Sequence, residues 1–132
     1  MTLQNVFNEK TVVITGHTGF KGAWLAAWLK QLGADVVGIA LDPQTEPSHF
    51  ASAQLAEGMA DLRIDIRDRK ALEEAIVSAQ PDFVFHLAAQ ALVRRSYEDP
   101  LETWQTNVPN PLLQRCIALL SYGSCRRSIL IA

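Results

Sequence analysis

What this chain has little of narrows it first. It has two cysteines, Cys116 and Cys125, and neither has a ligand pattern near it. Two such thiols define neither a disulfide framework nor a zinc site, so no metal is expected. Positive charge is not in excess: 12 Lys and Arg stand against 14 Asp and Glu, for a net charge of −2. That gives no reason to expect a nucleic-acid partner. No stretch approaches the run of about 18 apolar residues that a membrane span needs. The segment 1–10 is polar and holds no apolar core of signal-peptide type. The expected location is the cytoplasm. Internal repeats and low-complexity segments are also missing.

What remains is a globular composition, 48% hydrophobic and 20% charged over 132 residues. This suffices for one domain with a real core and not for two. All 14 acidic residues lie between Glu9 and Glu102. The segment 109–132 carries three arginines, both cysteines and no acid. The shift marks a boundary near Val108, dividing a nucleotide-binding half-domain, 1–108, from a divergent tail, 109–132.

Hydrophobic periodicity gives the order of elements. Thr11–Thr15 is a β-branched run ending at a glycine, which predicts a buried strand. Trp24, Leu25, Trp28, Leu29 and Leu32 recur at helical spacing, which predicts a helix with these residues in the core, stopped at Gly33. Asp35–Leu41 reads as a second strand and 43–60 as a loop with a short helix around 50–56. Leu62–Ile66 is the expected third strand. Asp68 caps a helix carrying Leu72, Ala75, Ile76 and Ala79, and Phe83–Leu87 is a fourth strand. Apolar strands alternating with helices imply a parallel sheet covered on both faces. The fold class expected is α/β, a Rossmann-like parallel sheet, of which this chain holds the first half.

The chemistry sits between the first strand and its helix. Gly16-x-x-Gly19-x-x-Gly22 has the spacing and context of a loop that holds a dinucleotide pyrophosphate at a helix N-terminus. Asp42 lies 20 residues past Gly22, at the end of the second strand. A carboxylate there accepts from ribose hydroxyls and repels a 2′-phosphate, which favours NAD over NADP; the alternative is a turn aspartate before Pro43. Asp65 and Ile66 end the third strand, where they could hold adenine, or Asp65 could serve the local chain as Asp68 does. Small residues after the fourth strand, Ala88 and Ala89, with Gln90, leave room for a cofactor. His86, inside an apolar strand, reads as a core histidine. Arg94, Arg95 and Tyr97 either face a phosphorylated substrate or form solvated surface.

Together TGHTGFKG at 15–22, Asp42, DIRD at 65–68, FHLAAQ at 85–90 and TNV at 106–108 resemble the extended short-chain dehydrogenase/reductase family. Within it, GHTGFKG, ALDPQTEPSHF at 40–50 and LAAQALVRRSYEDPLETWQTNV at 87–108 are similar to the CDP-glucose 4,6-dehydratases. The resemblance implies NAD as cofactor and a nucleotide sugar as substrate. The implied reaction is oxidation at sugar C4, loss of water across C5 and C6, and return of the hydride to C6. It also implies supply of deoxysugars for lipopolysaccharide O-antigen and pairing of subunits as homodimers. By position it gives the pyrophosphate to Gly16, Gly19, Phe20, Lys21 and Gly22, ribose to Asp42, and adenine to Asp65 and Ile66. Ala88, Ala89 and Gln90 line the nicotinamide side, with Gln90, Arg94, Arg95 and Tyr97 near the sugar. Asn107 matches a position on the helix after the fourth strand.

The resemblance stops at Val108. The family's Tyr-x-x-x-Lys pair is missing, since Tyr97 is followed four residues on by Leu101 and Tyr122 by Arg126. No catalytic residue is therefore assigned. Pro109 and Pro111 interrupt the helix the family would continue, Leu112–Leu120 could restart one, and 128–132 could mimic a fifth strand. The expectation is a truncated or frame-shifted tail and an inactive N-terminal portion. Three alternatives stay open: a related sugar-nucleotide epimerase or dehydratase, a non-catalytic NAD-binding module, and a fragment that does not fold stably.

Overall fold

The computed structural model describes residues 2–43, 46–88, 97–107 and 127–130. Their elements run α1 (Leu3–Phe7), β1 (Thr11–Thr15), α2 (Phe20–Gln31), β2 (Asp35–Ala40), α3 (His49–Ser52) and β3 (Ala60–Arg63). Then come α4 (Arg69–Ala79), β4 (Phe83–His86), α5 (Pro100–Asn107) and β5 (Arg127–Leu130). The strands form one parallel sheet in the order β3-β2-β1-β4-β5. This is the Rossmann-like fold that the alternation of apolar runs predicts.

β1, β2 and β4 carry apolar side chains on both faces, and each face has its own core. Val12, Ile14, Val36, Phe83 and Phe85 pack with Ala26 and Leu29 of α2. On the other face Val13, Val37, Ile39 and Val84 pack with Leu72 and Ile76 of α4. Asp68 caps α4, its Oδ1 accepting from the Ala71 amide at 3.2 Å. That capped helix is the sequence reading made local: one carboxylate, then apolar residues at helical spacing.

Several expectations change. The buried face of α2 is Gly22, Ala23, Ala26 and Leu29, while Trp24 and Trp28 stand half exposed. Small residues bring the helix backbone close to the sheet, so the bulky indoles belong to the opposite side. β3 begins and ends earlier than Leu62–Ile66, and α3 is a single turn at His49–Ser52. The polar N-terminus folds as α1, whose Phe7 ring lies 5.0 Å from that of Phe83 and 6.3 Å from that of Phe85. The tail supplies β5, which pairs with β4 from Phe83–Arg127 to His86–Leu130. The helix expected over 112–120 lies outside the described residues.

Candidate functional site

The strand order reverses between β1 and β4, because β2 and β3 lie on one side of β1 and β4 and β5 on the other. Chains leaving the two strands diverge there and open a crevice at their carboxyl ends. The glycine loop lies at that point. Gly16 leaves β1 with φ +82° and donates its amide to the Ile39 carbonyl at 2.8 Å. A Cβ on Gly16 would lie 2.8 Å from the Ala88 nitrogen, so its absence lets the end of β4 close on the loop. A Cβ on Gly22 would lie 2.1 Å from the Gly16 carbonyl oxygen, so α2 can start against the loop only with glycine there.

Gly19 differs from both. Its φ is −75°, which any residue adopts, and among the described residues a Cβ there would meet only the Gly16 oxygen at 3.4 Å. Neither backbone conformation nor packing among the described residues requires glycine at this position. What its missing Cβ leaves is open space at the N-terminus of α2. The first intrahelical bond there is Ala23 to Gly19, so the amides of the preceding turn precede the helical ladder. No acid lies in this first turn, and Lys21 is exposed in it. The loop therefore fits a diphosphate: a backbone that can be approached, helix amides and one cation.

The loop is anchored to β2 and β3 from below. Thr18 donates its hydroxyl to the Leu41 carbonyl at 2.9 Å. His17 is fully buried; a Cβ on Gly38 would lie 2.3 Å from its ring, so the ring occupies the slot that Gly38 leaves in β2. It meets Phe50 edge-on at 5.1 Å. His17 Nε2 lies 2.6 Å from Asp61 Oδ1, while Nδ1 is buried without a hydrogen bond. Burial pulls the ring's pKa below its ordinary 6.5, and this outweighs the raising effect of Asp61. Burial tends to raise Asp61 in turn, but hydrogen bonds from Arg63 and His17 hold it below 3.8. The sequence reading missed His17 and Asp61; the available signal was Gly38, a glycine inside an otherwise apolar strand.

Asp42 lies just beyond β2, its side chain 89% exposed and paired with Arg63 Nη1 at 3.0 Å. Asp65 accepts from Arg67 through both carboxylate oxygens, at 2.5 to 3.0 Å, and these bonds hold it below 3.8. Ile66 is partly buried against the core on the α4 face. Ala88 donates its amide to Thr15 Oγ1 at 3.3 Å, and the same hydroxyl lies 2.5 Å from His86 Nδ1. His86 is buried, and burial lowers its pKa below 6.5. Tyr97 is 83% exposed. Ala89, Gln90, Arg94 and Arg95 lie outside the described residues, and Asn107 ends α5. The structure thus gathers Gly16, Gly19, Gly22 and Ala88 at the crevice, with Phe20 and Lys21 opening α2 beside them. Among the described residues no group of three or more His, Cys, Asp or Glu is placed to hold a metal ion. Nor is any helix there long and apolar enough to cross a membrane.

The GDP-mannose 4,6 dehydratase family profile matches residues 13–114, from β1 beyond α5. The chain belongs to that family. It is 50% identical over 105 residues to a CDP-glucose 4,6-dehydratase of Salmonella typhimurium, covering 80% of this chain and 29% of that protein. It is 39% identical over 100 residues to a probable dTDP-glucose 4,6-dehydratase of Sinorhizobium fredii, covering 74% and 28%. Among solved structures, a Thermus thermophilus UDP-glucose 4-epimerase in complex with NAD superposes with a TM-score of 0.69 at 28% identity, covering 84% of this chain and 34% of that one. An epimerase from Methanothermobacter thermautotrophicus has the same fold, with a TM-score of 0.76 and 96% of this chain covered. The chain spans less than a third of the length of the two dehydratases it resembles.

Proposed function

We infer that these 132 residues form the NAD-binding portion of a nucleotide-sugar 4,6-dehydratase whose substrate is CDP-glucose. The observation that carries the reading is Gly19, where nothing among the described residues requires glycine and the space left open lies at the start of α2. The similarity to the Salmonella CDP-glucose enzyme supports the choice of sugar nucleotide.

Each residue then has a task. Gly16 and Gly22 let loop, helix and β4 meet at the crevice, and Gly19 admits the diphosphate to the helix amides. Phe20 and Lys21 continue that cradle, and Asp42 accepts from the adenosine ribose. Asp65 and Ile66 border adenine, while Ala88, Ala89 and Gln90 line the nicotinamide side. Gln90, Arg94, Arg95 and Tyr97 lie toward the sugar. When bound, NAD supplies reversible hydride acceptance, which permits oxidation at C4, elimination across C5 and C6, and reduction at C6. A tyrosine–lysine pair serves as the base in the extended short-chain family that this chain resembles. These residues lack it, so they bind the cofactor without turning over the sugar. The remaining parts of the reading are residence in the cytoplasm, a role in deoxysugar supply for O-antigen, and subunit pairing. The division near Val108 is one of composition, since the segment 109–132 also supplies β5 to the cofactor-binding sheet.

Calorimetric titration of the chain with NAD, and of Gly19→Ala, tests the reading. The wild type binds; Gly19→Ala melts within a few degrees of it and loses at least tenfold in affinity. Equal affinity for both proteins, or a 4-keto product from CDP-glucose with the chain alone, refutes it.

A further inference from the structure

Arg67 links the turn after β3 to α5. Its amide donates to Asp65 Oδ1 at 2.9 Å. Its guanidinium folds back on the same carboxylate: Nε lies 3.0 and 2.9 Å from the two oxygens, and Nη2 lies 2.5 Å from Oδ2. The remaining nitrogen, Nη1, stands 4.0 Å from Glu102 Oε1 on α5. Asp65 foremost, then Glu102 and Asp99, raise the pKa of the guanidinium, so its charge serves both the turn and the helix.

The far end of this bridge is a helix start. Asp99 Oδ1 accepts from the Glu102 amide at 2.9 Å, which caps α5. Pro100 opens the first turn and Glu102 lies within it, an order that fixes a helix N-terminus. In the chain α5 follows Arg94, Arg95 and Tyr97, the residues proposed to lie toward the sugar.

The two contacts of Arg67 are unequal. A carboxylate offers about four lone-pair positions. Among the described residues three N–H groups of Arg67 are directed at Asp65. Glu102 at 4.0 Å is within ion-pair range and beyond a hydrogen bond. A further N–H donor arriving at Asp65 has to share the carboxylate with Arg67. What it takes from the guanidinium becomes available to Glu102.

We propose that Arg67 is a positioning residue that couples the base end of the dinucleotide site to α5: an amino group donating to Asp65 displaces part of the guanidinium there, and Arg67 closes on Glu102. The proposal rests on the placing of adenine at Asp65. Linkage makes the coupling reciprocal, so loss of the Glu102 contact weakens binding of an amino-bearing base and spares an oxo-bearing one.

The test joins calorimetric titration to hydrogen exchange across α5. The ligands are NAD and nicotinamide hypoxanthine dinucleotide, whose base carries oxygen in place of the amino group. The proteins are wild type, Glu102→Gln, Arg67→Gln, their double variant, Asp65→Asn and Asp65→Asn/Glu102→Gln, each first checked by thermal melting. Glu102→Gln lowers affinity for NAD by about twofold to fivefold, the range of one partly exposed ion pair, and leaves the hypoxanthine dinucleotide unchanged. In the Arg67→Gln background the same substitution has no further effect. NAD slows exchange in the first turn of α5 in the wild type and not in Glu102→Gln. No loss of NAD affinity, an equal loss for both dinucleotides, a loss that persists in Arg67→Gln, or α5 exchange that ignores NAD overturns the proposal. A wild type that binds both dinucleotides equally removes the amino group from Asp65 and overturns it too. Asp65→Asn keeps an oxygen for the Arg67 amide and removes the charge, so it slows α5 exchange without any ligand, and adding Glu102→Gln cancels the slowing. Should the wild type bind neither dinucleotide, the dinucleotide reading fails and this ligand-free comparison decides for Arg67 alone: slowing that requires Glu102 upholds the bridge, and no slowing overturns it.

Discussion

Two glycines with different neighbours show how much one missing methyl group specifies. At Gly22 the neighbour is backbone, at Gly38 it is a histidine ring. The second case is separable by mutation, because the obstructing group is a side chain. Gly38→Ala is expected to destabilise the fold by about 1–3 kcal/mol through overpacking. His17→Ala vacates the slot, so the double variant should recover part of that loss. Chemical denaturation of the four proteins of the cycle measures the coupling; strictly additive losses would show that ring and slot do not interact. The glycine loop was legible in the sequence because its signal is confined to eight neighbouring residues between a strand and a helix. The His17–Asp61–Arg63–Asp42 chain was not, since it joins residues up to 44 positions apart. Asp42 could be placed from spacing alone, while its partner on β3 could not.

At the scale of elements, β1 and α4 follow local pattern closely and α1 does not. The run TVVIT maps onto β1 without adjustment, and Asp68 starts α4 as its side chain requires. In α1 only Val6 and Phe7 are apolar and large enough to hold the turn to the sheet beside Leu3, which is exposed. Helices this short do not persist on propensity alone. α1 is thus a consequence of its aromatic contacts with β4, which no local reading could anticipate. Phe7→Ala should lower stability by about 2–3 kcal/mol, read as a shifted urea midpoint at unchanged slope. An unaltered midpoint would remove α1 from the cooperative unit. The indoles of α2 teach the converse lesson: helical spacing was correct, but the buried stripe is the one that lets the backbone approach.

For the molecule as a whole, the titrating groups of the interior act in one direction. His17 and His86 both have pKa values lowered by burial, so in the folded state they hold fewer protons than the unfolded chain below its value of 6.5. Their contribution is complete above that pH and is lost as the pH falls through the lower folded values. Asp61 and Asp65 are also lowered, and their contribution is present above 3.8 and lost below it. Melting temperature should therefore be level near neutrality, decline as the pH drops below about 6.5, and decline again in the carboxylate range. His17→Ala should flatten part of the first decline. A melting temperature that held constant from neutral pH to pH ~5 would contradict the assignment of neutral buried rings.

The position of β1 in the sheet has a consequence for how the chain is made. β1 precedes the other four described strands in the chain, yet it lies in the middle of the sheet, with β2 on one edge and β4 on the other. The pairing with β2 can form early. The other edge must wait for Phe83–His86, and the bond between Thr15 and His86 spans 71 residues. During that interval the hydrogen-bonding groups on one edge of β1 have no strand to meet. Parallel pairing over such separations is intrinsically slow. Nascent chain is therefore most vulnerable to association with other chains between the synthesis of the glycine loop and that of β4, and the loop itself gains its second wall, Ala88, only when that interval closes.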